Sequence, residues 1–416
     1  MTTRLDVTMY IKRTMEATIK KASANFSVLM VTGPRQIGKT TLLQRCAEPG
    51  RRYITLDDLN ERTLAKTDPE LFFKRNPPPI LIDEVQYAPE LFTYIKIICD
   101  RERKPGLFWL TGSQKYHLMQ NISESLAGRV AILDLLGLSQ AEIFKHADDS
   151  QPLLPTTEWL DNARLHAVKD FNLMDVYKRI RTGSFPQIAL QTGTDRDLFY
   201  SSYVQTYIQR DVREITNITN ETGFYNFLRA AAARTGQLLN YAELAKDADI
   251  NHRTVKDWLN ILETSGLIYL LRPYHNNIVN RLIKTPKLYF LDTGLCSYLT
   301  RWQSVESLEA GAMSGHILET YVFTEILKSY WHNGKEAYFN FYRDKDDREI
   351  DLIIDQNNTL YPVEIKKTAK PADNAPSNFN FLQGLKQNIG HGMVVCLTEK
   401  DIPLSRDVDA VPVGYL

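Results

Sequence analysis

No stretch of this sequence reaches the roughly 18 uncharged apolar residues that a membrane-spanning helix needs. The first residues, MTTRLDVTMYIKRTMEATIKK, interrupt their apolar positions with charges every few places, so the apolar core of a signal peptide is missing too. Net charge is absent: Lys+Arg 50 balance Asp+Glu 50. No global basic field therefore attracts nucleic acid or an anionic membrane, and any such contact must use a local patch. Cysteine is scarce, and Cys46, Cys99, Cys296 and Cys396 lie too far apart in the chain for a local CxxC metal or redox site. No fixed period repeats. These absences predict a soluble cytoplasmic protein with reduced thiols and no membrane partner.

What is present is length and motif. At 416 residues the chain exceeds one ordinary core, and domains of about 100–200 residues predict two to four of them. Apolar positions at helical spacing over 9–22 lead into an apolar strand at 26–31. Further short strands are expected at 52–56, 79–82, 107–110 and 130–136, with amphipathic patterns between them. That alternation is the signature of a parallel sheet covered on both faces. A polar, proline-broken stretch at 146–157 reads as a linker or surface loop. From about 170 to 265 the pattern is helical, and 241–248 and 253–262 flank a short turn at 249–252, the spacing of a helix-turn-helix. Strands at 267–272 and 287–292 would form a wing. After 304–315 a helix is expected at 317–330, then strands at 337–342, 349–354, 360–365 and 392–397.

Gly33-Pro34-Arg35-Gln36-Ile37-Gly38-Lys39-Thr40 satisfies GxxxxGK[ST] directly after a strand and before a helix that continues with Thr41. The glycines let backbone N–H groups curl around phosphate oxygens, and a helix N-terminus adds a favourable dipole. Lys39 would meet the β- and γ-phosphates, and Thr40 would place its hydroxyl on magnesium. Ile80-Leu81-Ile82-Asp83-Glu84 is an apolar strand ending in paired acids. Asp83 would hold the magnesium shell and Glu84 would polarise the attacking water. Alone, that acidic pair would read as a solvated turn; the phosphate loop upstream reverses the preference. The next strand ends at Thr111-Gly112-Ser113, where the Ser113 hydroxyl would sense the γ-phosphate, or simply sit in a glycine turn. Arg129, before the fifth strand, would reach a neighbouring subunit's nucleotide as an arginine finger, or form a surface ion pair.

These motifs, together with YITLDD at 53–58, LTGSQ at 110–114, SLAGR at 125–129, GSFPQ at 183–187, YVQTYIQRDV at 203–212 and KTPKLYFLDTGL at 284–295, resemble AAA+ P-loop ATPases. The likeness is to the bacterial and archaeal subgroup that carries a C-terminal domain of uncharacterised function, and it covers nearly the whole chain. It implies ATP and Mg²⁺ as cofactors and assembly into a homo-oligomer, such as a ring with nucleotide between subunits.

In the helix-turn-helix segment Arg253 and Lys256 would face phosphates if the second helix entered a groove, with Arg272, Arg281, Lys284 and Lys287 adding contacts from the wing. The alternative is a packing module that joins the two ends of the chain. Further on, Glu349-Ile350-Asp351 lies on one strand and Glu364-Ile365-Lys366 on the next. Positions i and i+2 share a strand face, so Glu364 and Lys366 point the same way. Carboxylates and a lysine converging at a sheet edge can bind a divalent ion and activate water for phosphodiester cleavage. With Glu319 on the preceding helix, the ordered set resembles the PD-(D/E)xK nuclease superfamily, although Ile350 replaces the nominal proline. The resemblance implies Asp351 and Glu364 as metal ligands, Lys366 orienting or deprotonating water, and Glu319 assisting. A degenerate fold that binds without cutting, or a solvated ion pair, is the rival reading.

The expected fold class is multidomain α/β: an AAA+ parallel-sheet domain over 1–145, a helical lid or linker over 146–200, a winged-helix-like domain over 201–303 and a restriction-endonuclease-like domain over 304–416. The expected function is Mg²⁺-dependent ATP hydrolysis coupled to a DNA- or RNA-binding, nucleolytic C-terminal domain. The alternatives are a nucleotide-dependent switch that scaffolds partners on an inactive nuclease fold, and a helicase-like DNA motor.

Overall fold

The computed structural model describes residues 10–112, 125–168, 171–191, 193–208, 220–275, 285–344, 346, 348–371, 379, 382, 384–385 and 387–416. Its N-terminal part is built on β1 (Val28–Thr32), β2 (Arg52–Thr55), β3 (Ile80–Asp83), β4 (Phe108–Gly112) and β5 (Val130–Asp134), all parallel in the order β2-β3-β4-β1-β5. Strand residues alternate between faces. Val28 and Met30 of β1 therefore enter a core with Ile80, Ile82 and Phe108, while Leu29 and Val31 enter the opposite one. The second core is not confined to this sheet. It takes Met15 and Ile19 of α1 (Met15–Asn25) and Leu42 and Leu43 of α2 (Lys39–Cys46), then runs on through the rest of the chain to Val413. The expected domains therefore share one apolar interior.

The middle region is helical, as its pattern predicts. Helices α3 (Glu221–Ala232), α4 (Tyr241–Ala248) and α5 (His252–Thr264) are started by Asn220, Asn240 and Asn251, whose side chains accept from first-turn amides. Val255, Trp258, Leu259 and Leu262 recur at helical spacing on α5 and are buried there. Strands β6 (Gln237–Leu238), β7 (Ile268–Leu271) and β8 (Lys287–Phe290) form an antiparallel sheet in the order β6-β8-β7.

The C-terminal part packs helix α6 (Ser314–Trp331) against a mixed sheet of β9 (Phe339–Arg343), β10 (Glu349–Gln356), β11 (Thr359–Ile365), β12 (Asn388–Ile389), β13 (Gly392–Cys396), β14 (Ile402–Ser405) and β15 (Val408–Pro412). β9, β10 and β11 are antiparallel neighbours; β13 joins β11 in parallel and β15 joins β13 in parallel. Among the described residues no helix is long and apolar enough to cross a membrane.

Candidate functional site

The phosphate loop hangs between the end of β1 and the start of α2. Gly33 has φ 140°, and a Cβ there would stand 2.1 Å from the Leu135 carbonyl oxygen, so only glycine lets the loop lie against the chain leaving β5. Gly38, at φ 90°, makes the left-handed entry into α2. Lys39 is 6% exposed, and its Nζ donates to the Gly33 and Pro34 carbonyls at 3.0 and 2.8 Å. The ammonium is thus held over the loop in which a phosphate would sit.

Because β4 lies between β1 and β3, the acid of β3 is one strand removed from the loop and is met by hydroxyls from three sides. Thr40 Oγ1 donates to Asp83 Oδ1 and Oδ2 at 2.9 and 3.0 Å, Thr111 Oγ1 donates to Asp83 Oδ1, and the Tyr53 hydroxyl donates to Oδ2 at 3.1 Å. Burial, then the Asp83 carboxylate, pushes the Tyr53 phenol up to about 12. Glu84 is left-handed at φ 55°; its N–H donates to Thr111 Oγ1 at 3.2 Å and its carboxylate accepts from the Gln86 amide. An adjacent hydroxyl and carboxylate fit the shell of a magnesium ion, which Thr40 and Asp83 could hold.

Ser113 lies outside the described residues. Arg129 precedes β5, at the end of the parallel sheet opposite the loop, and its Nε donates to Asp100 Oδ1 at 2.7 Å. It has no place in this chain's own phosphate site. Sequence reasoning missed Thr111, Tyr53 and Arg13. It also missed a cleft of about 470 Å³ beside the loop, lined by Tyr10, Ile11, Gly38, Thr41, Pro186 and Leu190 among others. GSFPQ, a motif with no assigned chemistry, thereby gains a position: Pro186 borders the cleft, while Ser184 donates from N–H and hydroxyl to Asp292 at 2.7 and 2.8 Å.

The second group of predicted residues also converges, with an addition. Asp351 of β10, Glu364 of β11 and Glu319 of α6 are 9%, 2% and 9% exposed. Lys366 Nζ lies 2.7 Å from Glu364 Oε2 and 3.9 Å from Asp351 Oδ2, and the Ile365 N–H donates to Asp351 Oδ2 at 2.9 Å. Lys287, expected on an exposed wing, is instead 3% exposed in this cluster. Its Nζ stands 3.0 Å from Glu319 Oε1, 2.5 Å from Glu349 Oε1 and 3.6 Å from Asp351 Oδ1. Strand alternation is the reason: Lys287 and Tyr289 share the face of β8 turned to α6, and the Tyr289 hydroxyl also donates to Glu319, at 2.6 Å. Arg281 and Lys284 lie outside the described residues, while Arg253 and Lys256 are exposed on α5.

Burial, reinforced by Asp351, raises the Glu319 carboxyl to about 7 and the Glu364 carboxyl to about 8. Burial alone would favour the neutral Lys287 amine, but Glu319, Asp351 and Glu349 together hold its ammonium above the ordinary range. Four carboxylates thus face two ammonium groups. A divalent cation would have to displace the protons that Glu319 and Glu364 hold near neutral pH, and Lys287 already stands between Glu319, Glu349 and Asp351. Among the described residues no three Asp, Glu, His or Cys side chains are gathered around a common metal position.

The sequence pattern of the AAA domain matches residues 25–144, and those of two domains of unknown function, DUF8612 and DUF4143, match 174–306 and 314–416. An uncharacterised protein of Mycobacterium tuberculosis is 28% identical over 416 residues, covering 100% of this chain and 86% of that protein. One of Methanocaldococcus jannaschii is 25% identical over 328 residues, 71% of this chain and 66% of that protein. Of solved structures, a Walker-type ATPase of Pyrococcus abyssi is 15% identical and covers 68% of this chain and 94% of its own, with a TM-score of 0.39. RuvB of Thermotoga maritima is 16% identical and covers 62% and 86%, with a TM-score of 0.29. The N-terminal part of this chain is a P-loop ATPase domain of the AAA type, which implies ATP binding with magnesium, joined to a helical middle region and a C-terminal mixed-sheet domain.

Proposed function

We propose that the chain hydrolyses ATP and uses the nucleotide state to control a nucleic-acid-binding C-terminal half. The observation that carries the first part is the meeting of Thr40, Thr111 and Tyr53 on Asp83 beside the phosphate loop. In this reading residues 33–41 cradle the phosphates, Lys39 leaves its loop carbonyls for the β- and γ-oxygens, and Glu84 orients the attacking water. The cleft beside Tyr10 and Pro186 takes the base and ribose. Bound magnesium would supply charge neutralisation at the phosphates, held through Thr40 and Asp83. Arg129 and Ser113 would act only toward a neighbouring subunit's nucleotide and the γ-phosphate respectively, in a homo-oligomer.

The second part rests on order and placement. The chain order of α3, β6, α4, α5, β7 and β8 supports reading this region as winged-helix-like, in which exposed Arg253 and Lys256 of α5 would meet a phosphate backbone. The nearness of Asp351, Glu364 and Lys366 beside α6, on β10 and β11, supports reading this part as PD-(D/E)xK nuclease-like; in that reading Lys366 would orient water and Asp351 and Glu364 would hold a divalent ion. One observation favours the rival reading, a switch or scaffold on an inactive nuclease fold: Lys287 already supplies a cation to this cluster. The test is Mg²⁺- or Mn²⁺-dependent cleavage of DNA and RNA, with ATP turnover measured alongside. Cleavage lost in Lys366→Ala supports the nuclease reading. ATP turnover with no cleavage in either protein leaves the switch.

A further inference from the structure

Arg13 reads in the sequence as one more basic residue ahead of the first helix, yet it is 4% exposed. Its Nη1 donates to the Ile37 carbonyl of the phosphate loop at 3.0 Å. Its Nη2 donates to the Leu136 and Gly137 carbonyls at 2.8 and 3.3 Å. Its Nε stands 3.0 Å from Glu142 Oε2. A peptide group is planar and trans, with C=O and N–H on opposite sides. Holding the Ile37 oxygen toward Arg13 therefore turns the Gly38 N–H away from it, fixing the plane that leads into α2. With its guanidinium committed to three carbonyls and one carboxylate, Arg13 is no phosphate ligand.

Glu142 is held in turn. It is fully buried and accepts from the Ser139 and Thr14 N–H groups, both at 2.9 Å. Its Oε1 lies 3.2 Å from Nδ1 of His332, the residue that ends α6. His332 Nε2 accepts the Leu136 N–H at 3.2 Å, which places the imidazole proton on Nδ1, facing Glu142. The same helix is anchored around this point: Glu325 accepts the Gln140 N–H at 2.7 Å, and Lys328 donates to the Leu138 carbonyl at 3.0 Å. A chain of buried polar contacts thus runs from the C-terminal domain to the phosphate loop.

We propose that Arg13 is a positioning residue of the ATP site and that His332 of the C-terminal domain keeps it in place through Glu142, so that the docked α6 is part of the nucleotide-binding apparatus. This rests on the ATPase reading and names a route by which the two halves communicate.

The test is steady-state ATP turnover with Mg²⁺ by the full chain. Arg13→Ala is expected to raise the KM for ATP about tenfold, the order expected for losing a charge-assisted hydrogen bond, with a smaller change in kcat. His332→Ala raises KM in the same direction. The double variant is no worse than Arg13→Ala alone, because both act through one contact. Arg13→Ala also strands the buried Glu142 carboxylate, so a second variant, Arg13→Met/Glu142→Gln, removes both charges together. It recovers the Tm lost by Arg13→Ala but not the KM. A wild-type KM in this charge-free pair, or multiplying effects of Arg13 and His332, overturns the inference while leaving the ATPase reading intact. No turnover in the wild type overturns the ATPase reading, and the inference with it.

Discussion

Lys287 Nζ stands 3.0 Å from Glu319 Oε1, so a strand of the middle region supplies the cation of a carboxylate cluster built by the C-terminal domain. The neighbouring Glu349 and Asp351 share it. This pairing joins the two regions electrostatically.

Removing the ammonium takes a counter-charge from the buried Glu319 and Asp351 while leaving their other contacts, from the Tyr289 hydroxyl, the Ile365 N–H and Lys366; breaking a buried pair in this way typically costs up to about 3–5 kcal/mol. Lys287→Met is expected to have a lower Tm than the wild type in metal-free buffer and to recover more stability from added Mn²⁺ than the wild type gains. Calorimetric scans with and without Mn²⁺ check this. Equal Mn²⁺ shifts in the two proteins would mean that Lys287 does not compete with a cation there.

Asp83 and Glu84 are adjacent but differently placed, the first under three hydroxyls and the second turned into the left-handed region toward Gln86. Glu84→Gln is expected to lower kcat for ATP by about 10²–10⁴-fold, the usual range for a positioned general base, with nucleotide binding kept. Asp83→Asn is expected to weaken Mg²⁺-dependent binding as well. Binding titrations beside turnover separate the two; a Glu84→Gln enzyme that hydrolyses ATP at the wild-type rate removes the residue from the chemistry.

Burial holds the His332 imidazole below its ordinary value, with Glu142 only partly opposing it. A depressed folded value means that the contribution is fully present above the unfolded value of about 6.5 and is lost as pH falls below it. His332→Asn should therefore show a shallower loss of urea stability between about pH 7 and about pH 5.5 than the wild type. Glu319 and Glu364, raised rather than lowered, act in the opposite sense but are common to both proteins. Parallel slopes would contradict the assignment of the proton to this site.

Local pattern made much of this legible. The GxxxxGK[ST] spacing located a loop that needs Gly33 and Gly38, and the apolar runs located β1, β3 and β4 within a few residues, because a strand buried on both faces leaves no alternation to misread. Ser139-x-x-Glu142 also carries a capping-box pattern that went unread in the sequence, and Glu142 does cap the short helix Gln140–Ile143. What the pattern could not hold was tertiary pairing. Lys287 begins a short strand and reads as a surface charge until β8 is seen against α6. Arg13 looks like any N-terminal basic residue until the loop after β5 brings Leu136 and Glu142 to it. The small strands β14 and β15 at 402–412 were missed because Pro403 interrupts and Pro412 ends runs of only four and five residues, too short to show a period.

The most direct test of the account is ATP hydrolysis in the presence of Mg²⁺ by the wild type and by Lys39→Ala, with circular dichroism recorded for both. Lys39 donates to its own loop in this structure and is assigned to the phosphates when ATP binds. The account predicts turnover by the wild type and none by Lys39→Ala, with unchanged secondary structure. Hydrolysis that survives in Lys39→Ala would contradict the assignment of the phosphate loop.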